Sequence, residues 1–205
     1  PHSFPLTIMK IRSIALLAPL FLVACNGNSL NQNHEALLNN PLYLEQYSEQ
    51  LVDTMVNLEV YGDPLIEDES KKKIADDTKK YWLAEAKKSR KAQRQSSKGS
   101  FIMIKEYVAG EVMLTKDGSA VHFGPTFTVT PGPSVHVVLT TAVDPRDVEF
   151  PDESAIDIGE VLMPYGAQSY YLTEKVADPI KYRTVVLWDS KLNRLYGFAQ
   201  ISPLY

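Results

Sequence analysis

Cys25 carries the most distinctive chemistry in this chain, because it is the only cysteine among 205 residues. A lone thiol cannot form an intramolecular disulfide, so packing and backbone pairing must hold the fold together. The chemistry that is left for this thiol depends on the residues that come before it.

The stretch before Cys25 has the three parts of a secretory signal peptide. Lys10 and Arg12 provide a basic start, and an apolar core follows that ends in residues 22–25, Leu-Val-Ala-Cys. The core is too short to span a bilayer as a mature helix. Its last four residues resemble a bacterial lipobox, which predicts that Cys25 is lipidated and becomes the first mature residue. The alternative is an ordinary signal peptide that contains a cysteine.

Lipidation of Cys25 would leave no thiol for a metal site or for redox chemistry. Residues 1–24 are then removed, and those before Met9 precede the better start site. Asn26 follows the cysteine directly. In Gram-negative lipoproteins an aspartate at that place tends to hold the protein at the inner membrane. The resemblance therefore implies a lipid anchor in the outer membrane, on the periplasmic side or at the cell surface.

Two histidines in the second half of the chain, His122 and His136, are candidates for a metal site. Each is out of phase with the apolar residues of its predicted strand, so both would share the outer face of a sheet if the strands were neighbours. No third ligand is placed by the sequence. We therefore expect two solvent-exposed histidines, and a surface metal site is the alternative.

A long acidic segment supplies carboxylates that a hard cation such as calcium would accept. Their spacing differs from that of an EF-hand loop, which favours a solvated loop. They are Asp144, Asp147, Glu149, Asp152, Glu153 and Asp157. The sequence shows no nucleophile elbow, phosphate-binding glycine loop or zinc-protease helix. We predict a protein that is not an enzyme, with no catalytic, cofactor-binding or metal-binding residues.

The helical half of the chain begins after a segment rich in amides. Residues 25–40 are predicted to form a flexible tether behind the lipidated cysteine. Residues 41–98 are predicted to be helical, starting at an Asn40 cap with Pro41 in the first position. An apolar stripe with steps of three or four supports the first helix. It consists of Leu44, Tyr47, Leu51, Met55 and Leu58.

A second, basic helix is predicted at residues 67–98, a segment that contains eleven basic and six acidic residues. Ser70 is its expected cap, and the acids near its start and bases near its end suit the helix dipole. We favour a solvated linking helix that packs Tyr81 and Trp82 on the core. A basic patch for anionic lipid, peptidoglycan or nucleic acid is the alternative, although a net charge of −4 argues against general nucleic-acid binding.

From residue 99 to residue 205 the hydrophobic period is that of strands. Asp117-Gly118 predicts one hairpin, and a turn at residues 164–166 predicts a second, between residues 156–162 and 168–172. Eight or nine short strands indicate an antiparallel β-sandwich or barrel. The predicted fold class is therefore mainly β, an antiparallel β-sandwich preceded by an α-helical N-terminal segment.

The β half also carries short motifs in a particular order. They are Gly99-Ser100-Phe101, Gly110-Glu111-Val112, Gly132-Pro133-Ser134-Val135-His136-Val137-Val138-Leu139, Ile158-Gly159-Glu160-Val161, Gly166-Ala167-Gln168-Ser169-Tyr170, Tyr182, Val185-Val186-Leu187-Trp188 and Phe198-Ala199. Their order and spacing resemble the DM-thirteen domain, also called the electron-transfer DM domain, a β-sandwich module of extracellular and bacterial envelope proteins. The resemblance covers nearly all of residues 99–205 and none of the helical half.

The chain departs from this family at one position that matters for chemistry. The family typically carries a cysteine directly after Trp188, and a redox role has been proposed for it. This chain has Asp189 there, and a carboxylate cannot cycle between thiol and disulfide. Trp188 itself is expected to fill the core between two sheets, and a ligand platform is the alternative. Gly159 is expected to mark a bulge or a close backbone approach.

The leading hypothesis is a lipid-anchored envelope protein whose sandwich binds another envelope component. Its partners would be membrane lipid, through Cys25, and a protein or polysaccharide, but no nucleic acid. A redox or metal-binding module is the alternative, in line with the chemistry proposed for the family. A purely structural spacer is a third hypothesis.

Overall fold

The computed structural model describes residues 29–203, with side chains from residue 34 onward. The helices in this range are α1 (Ser29–Leu38), α2 (Pro41–Val60) and α3 (Glu69–Arg94), with a 3-10 turn at Pro64–Glu67. The strands are β1 (Ser97–Ser100), β2 (Ile102–Met103), β3 (Val108–Ala109), β4 (Glu111–Leu114), β5 (Ala120–Phe123), β6 (Thr128–Val129), β7 (Val135–Thr140), β8 (Ile156–Glu160), β9 (Gln168–Tyr171), β10 (Thr184–Asp189), β11 (Arg194–Gln200) and β12 (Ser202–Pro203). The predicted fold class, mainly β with a helical segment in front, is confirmed.

The predicted start of α2 is also confirmed. The Asn40 side chain accepts hydrogen bonds from the backbone N–H groups of Leu42 and Tyr43, and Pro41 fills the first helical position, where no N–H is needed. The cap of α3 differs from the prediction.

Asp68, and not Ser70, caps α3. The Asp68 carboxylate accepts hydrogen bonds from the backbone N–H groups of Ser70 and Lys71. Ser70 lies inside the first turn, and its hydroxyl donates to the same carboxylate oxygen at 2.6 Å. A carboxylate at the cap also suits the positive end of the helix dipole.

Helix α1 corrects the prediction of a flexible tether over residues 25–40. In the described part of that range, residues 29–38 are helical. His34 packs edge-on against Tyr43 and Tyr47 of α2, with ring centroids 6.4 and 5.0 Å apart. This contact stabilises a helix too short to be stable alone. Cys25 and the predicted signal peptide lie outside the described residues.

Helices α2 and α3 form an antiparallel hairpin with its own aromatic contact. Trp82 packs edge-on against Tyr47 of α2, with centroids 5.0 Å apart. Tyr81 is 58% exposed. The prediction that Tyr81 and Trp82 pack on the β core is therefore wrong, because Trp82 packs against the partner helix and Tyr81 is exposed.

The strands form two five-stranded antiparallel sheets and a small third one. The first sheet has the order β12-β1-β4-β5-β9, the second sheet has the order β2-β11-β10-β7-β8, and β3 pairs with β6. Alternate residues of both sheets meet in one core, among them Val121 and Phe123 from the first sheet and Val137 and Leu187 from the second. All four are fully buried.

One of the two predicted hairpins is present. Strands β4 and β5 pair across the turn at Gly118, whose φ of 66° is one that glycine adopts readily. The hairpin predicted across residues 164–166 is wrong, because β8 pairs with β7 in the second sheet and β9 pairs with β5 in the first. The chain crosses between sheets there, and a turn residue cannot distinguish a crossing from a hairpin.

The predicted bulge at Gly159 is confirmed. The pairing of β7 with β8 shifts register between Val137 and Val138, which lie opposite Gly159 and Asp157. Gly159 has a φ of 122°, which a residue with a side chain rarely adopts.

Trp188 lies on the outer face of the second sheet and not between the sheets. It belongs to a second buried cluster with Val138, Val186 and Phe198. The long loop between β7 and β8 covers this cluster, and Phe150 packs edge-on against Trp188 at 5.3 Å. Leu187 takes the inward position, because side chains alternate along a strand.

The helical hairpin packs against the outer face of the first sheet. The Asn40 amide donates hydrogen bonds to the carbonyl oxygens of Phe123 and Gln168, at 2.8 and 3.2 Å. At the other helix, Lys98 of β1 donates to Gln93 of α3 at 2.9 Å. Among the helices that the structure describes, none is both long and apolar enough to cross a membrane.

Candidate functional site

The carboxylate of Asp189 is fully buried at the end of β10. Its Oδ1 accepts hydrogen bonds from the backbone N–H groups of Lys191 and Leu192, at 3.0 and 2.9 Å. Its Oδ2 accepts from the backbone N–H of Ser134 and the hydroxyl of Tyr196, both at 3.4 Å. One side chain therefore ties the β10–β11 turn to the loop that precedes β7.

The donors around Asp189 outweigh the cost of burying its charge. Burial by itself raises the pKa of a carboxyl group. The backbone N–H groups of Leu192, Ser134 and Lys191, together with the Tyr196 hydroxyl, nevertheless lower the pKa of Asp189 below its ordinary value. Burial, and then the Asp189 charge, raise the pKa of Tyr196. The pair is thus a carboxylate and a neutral phenol at ordinary pH.

Gly132 allows the loop before β7 to approach this pair. A Cβ atom at this position would clash with the Tyr196 hydroxyl and would lie 2.5 Å from Asp189 Oδ2. Glycine is therefore needed here for the close approach of the loop.

A small open cleft of about 160 Å³ is lined by the loop before β7, the loop whose Ser134 donates to Asp189. Residues 129–135 form one wall, and residues 160–164 contribute to the other. Backbone hydrogen bonds of 2.8 Å join the walls, from Val129 to Pro164 and from Val161 to Val135. Side chains that flank the second wall are exposed apolar residues, a composition typical of binding surfaces. They are Leu162, Met163 and Tyr165.

A polar cluster borders the cleft on the outer face of the second sheet. Ser134 Oγ donates a hydrogen bond to Glu160 Oε1 at 2.6 Å and lies 3.1 Å from His136 Nε2. His136 Nδ1 lies 2.8 Å from Asp157 Oδ2, without hydrogen-bond geometry. Because the serine proton is directed at a carboxylate, the cluster can hold a polar ligand group but does not present an activated nucleophile.

The two histidines do not come together. His122 lies on β5 of the first sheet and His136 on β7 of the second. His122 is buried against the prediction of an exposed side chain, its Nδ1 is 2.8 Å from Ser169 Oγ, and burial lowers its pKa to about 4. In the described part of the chain, no three His, Cys, Asp or Glu side chains are arranged to hold a metal ion.

Donors from the acidic loop itself and from the end of β7 bind two of its carboxylates. Arg146 donates to both Asp144 oxygens. Asp152 Oδ1 accepts from the Ser154 backbone at 2.7 Å, and Thr140 donates to Oδ2. The loop thus folds back on the second sheet and is not simply a solvated segment.

Residues 100–201 match the family model described as Electron transfer DM13. This β domain belongs to the DM13 family. The match begins at the end of β1 and ends beyond β11, so it covers the sandwich and leaves out the three helices. No curated protein and no solved structure matches the chain.

Sequence reasoning singled out Asp189 and His136 in the DM13 domain but missed Ser134, Tyr196 and Glu160, which contact them. Ser134 and His136 are two residues apart on one strand face, and the period of two was a signal that could have joined them. Tyr196 and Glu160 carried no comparable signal, because each reaches the cleft region from a strand far away in sequence.

Proposed function

We propose that the chain is a membrane-anchored bacterial envelope protein whose DM13 domain is a non-catalytic binding module. The observation that carries the proposal is the buried Asp189 at the position where the family typically has a cysteine. Both of its oxygens are engaged by Lys191, Leu192, Ser134 and Tyr196. Asp189 therefore stabilises the loop before β7, which lines the cleft, and it cannot supply thiol redox chemistry.

The cleft is the surface that we assign to binding. Its walls are held by backbone hydrogen bonds and by Asp189, so it is formed before a partner arrives. The exposed side chains beside it, at 65% for Leu162 and 69% for Tyr165, would be covered by an envelope protein or a polysaccharide.

Photo-crosslinking in cells tests this assignment. A photoreactive amino acid in place of Tyr165 should give a discrete crosslinked product. The matched control is the same amino acid in place of Ile180, which is 66% exposed. Tyr165 directly follows Pro164, which lines the cleft, whereas neither Ile180 nor its neighbours in the chain line it. Equal product patterns at the two positions, or none at either, would contradict the binding proposal.

The anchor in this proposal is acylation of Cys25, supported by the basic start, apolar core and Leu-Val-Ala-Cys run of residues 22–25. Mass spectrometry of the protein extracted from membranes should show an acylated N-terminal Cys25. Cys25→Ser should move the protein out of the membrane fraction. An unmodified Cys25 in the membrane-bound protein would exclude the anchor.

Electron transfer is the second candidate, favoured by the description of the matched family. It requires a redox centre built from groups other than a thiol after Trp188. Redox titration of the protein purified from its native membrane separates the candidates. A reversible spectroscopic change would favour electron transfer, and a silent protein with a specific crosslink at Tyr165 would favour binding.

A further inference from the structure

Helix α3 carries a stripe of exposed cations that the cleft does not use. Lys80, Lys87, Lys91 and Arg94 are seven, four and three residues apart, steps that return to the same side of a helix with ~100° per residue. Between residues 34 and 203, none of the four forms an ion pair. We call these four residues the cationic stripe; it extends over ~21 Å at 1.5 Å per residue.

The cationic stripe points away from the rest of the hairpin. The buried side of α3 includes Ala86, Ser89 and Gln93. Ser89 and Gln93 both donate to the carbonyl oxygen of Pro41 on α2, and they lie roughly 140–180° around the helix from Lys80. The four cations therefore face solvent along their whole length.

Nearby carboxylates are already engaged with other cations. Glu45 and Glu49 of α2 bind Arg90. On α3, Glu85 binds Lys88 at 3.3 Å and Asp76 binds Lys79 at 2.9 Å. The charge of the cationic stripe is therefore not neutralised by ion pairing within the hairpin, and an external anionic partner would complement it.

We propose that the cationic stripe docks on anionic phospholipid headgroups of the membrane that holds the chain. This rests on the proposed anchor at Cys25. The chain between Cys25 and Ser29 reaches at most ~14 Å, and α1 adds ~15 Å. Because α2 then begins beside the end of α3, the Lys91 and Arg94 end of the stripe stays within a short distance of the bilayer.

A lipid surface fits the stripe better than a site that reads one ligand. Lysine ammonium groups act as point charges and need no fixed partner geometry. A row of them on a straight helix meets many equivalent headgroup phosphates at once. Near an anionic bilayer each basic residue contributes roughly a fivefold increase in the ratio of docked to free helix.

A probe on the stripe tests the proposal with the protein in its anchored form. Ala84 is exposed between Lys80 and Lys87. The membrane-extracted protein with Ala84→Cys, labelled with a nitroxide, is reconstituted into vesicles of phosphatidylcholine alone or mixed with phosphatidylglycerol. Collision with a water-soluble relaxant then reports accessibility. The control is Asp53→Cys, an exposed position on α2.

The label at Ala84→Cys should be shielded only in vesicles that contain phosphatidylglycerol, and the label at Asp53→Cys should stay accessible in both. High salt should reverse the shielding, because the Debye length falls to ~3 Å at 1 M. Changing Lys80, Lys87, Lys91 and Arg94 to Gln should remove the shielding, because the loss of each cation lowers the ratio of docked to free helix roughly fivefold.

Equal accessibility at Ala84→Cys in the two kinds of vesicle would overturn the proposal. So would shielding by purified peptidoglycan in place of lipid. The number of labelled thiols per chain distinguishes a failure of the stripe proposal from a failure of the anchor proposal. One labelled thiol per chain means that Cys25 is acylated, so that a negative result rejects the stripe alone. Two labelled thiols reject the anchor and the docking that depends on it.

Discussion

The sandwich and the helical hairpin are stabilised by different forces. The sandwich encloses large side chains that are almost fully buried, such as Phe123 and Phe127. The buried residues of α3 are small or polar, for example Ala86 and Ser89. Removal of apolar surface from water therefore dominates in the sandwich and is minor in α3.

Apart from the contact between Trp82 and Tyr47, charges and hydrogen bonds connect the two helices. Arg90 of α3 binds Glu45 at 2.8 Å and also binds Glu49, and Gln93 donates to Glu45 at 2.6 Å. Such pairs at a protein surface are weak and are screened by salt. The comparison indicates that the sandwich is the rigid part of the molecule and that the hairpin responds to ionic conditions.

The largest effect is expected from the aromatic core of the sandwich. Phe123→Ala should lower the free energy of unfolding by about 3–5 kcal/mol, because it leaves a cavity among well-packed rings. Its ring centroid is 4.4 Å from that of Phe127 and 5.2 Å from that of Tyr170. Urea denaturation measures the loss. Leu192→Ala, at a side chain that is 53% exposed, is the control and should change stability by less than about 0.5 kcal/mol.

Removal of the buried carboxylate should rank next. Asp189→Ala leaves the buried N–H groups of Leu192 and Ser134 without their acceptor, which should cost about 2–4 kcal/mol. A loss below that of an exposed control such as Asp178→Ala would mean that water satisfies these donors. The interior of the sandwich would then tolerate the loss of a buried hydrogen-bond acceptor, contrary to what we expect of a rigid, well-packed core.

Asp189 should also contribute to the pH dependence of stability. Because its folded-state pKa is lowered, the ionised group stabilises the fold above the unfolded pKa of about 3.9. This stabilisation is lost as the pH falls through the folded-state pKa. The stability difference between the unmodified chain and Asp189→Asn should therefore be constant near neutral pH and shrink in acid. A difference that grows in acid would contradict the sign.

A smaller effect is expected where the two regions meet. Asn40→Ala removes the cap of α2 and the two amide hydrogen bonds to Phe123 and Gln168 of the first sheet. We expect a loss of about 1–3 kcal/mol. Asn39→Ala is the matched control, because the Asn39 side chain is exposed and donates only to the carbonyl oxygen of Glu35 in the preceding helix α1. Equal losses would show that the hairpin is not coupled to the sandwich through this residue.

The smallest effect is expected inside the hairpin. Arg90→Gln should cost less stability than any of the changes to the sandwich or to Asn40, because the guanidinium is 42% exposed and its pairs with Glu45 and Glu49 are partly solvated. The loss should shrink further at high salt. Arg94→Gln, which removes an exposed arginine outside these pairs, is the control. A loss that does not depend on salt would mean that packing, as in the sandwich core, and not ion pairing stabilises the hairpin.

Local signals in the sequence predicted much of the fold. Asn40-Pro41 marked the start of α2, Asp117-Gly118 marked the β4–β5 hairpin, and the motifs of the β half indicated the DM13 domain. Each of these signals acts over a few residues through caps, turns or side-chain periodicity. Lipidation of Cys25 stays a prediction.

Long-range relations were not predictable in the same way. The turn near Gly166 carries β9 into the other sheet, and Trp188 packs under Phe150 on an outer face. His122 and His136 carry the same pattern of alternation, but they belong to different sheets. Alternation tells which residues share a face of one strand and cannot tell what covers that face.

The sequence by itself determined the order of the elements, the fold class and the replacement of a family cysteine by Asp189. Only the tertiary structure decided what that aspartate does, because one of its donors, Ser134, lies 55 residues away along the chain. Strand pairing brings such distant groups into contact, and the energy of a buried charge depends on those contacts more than on its neighbours in sequence.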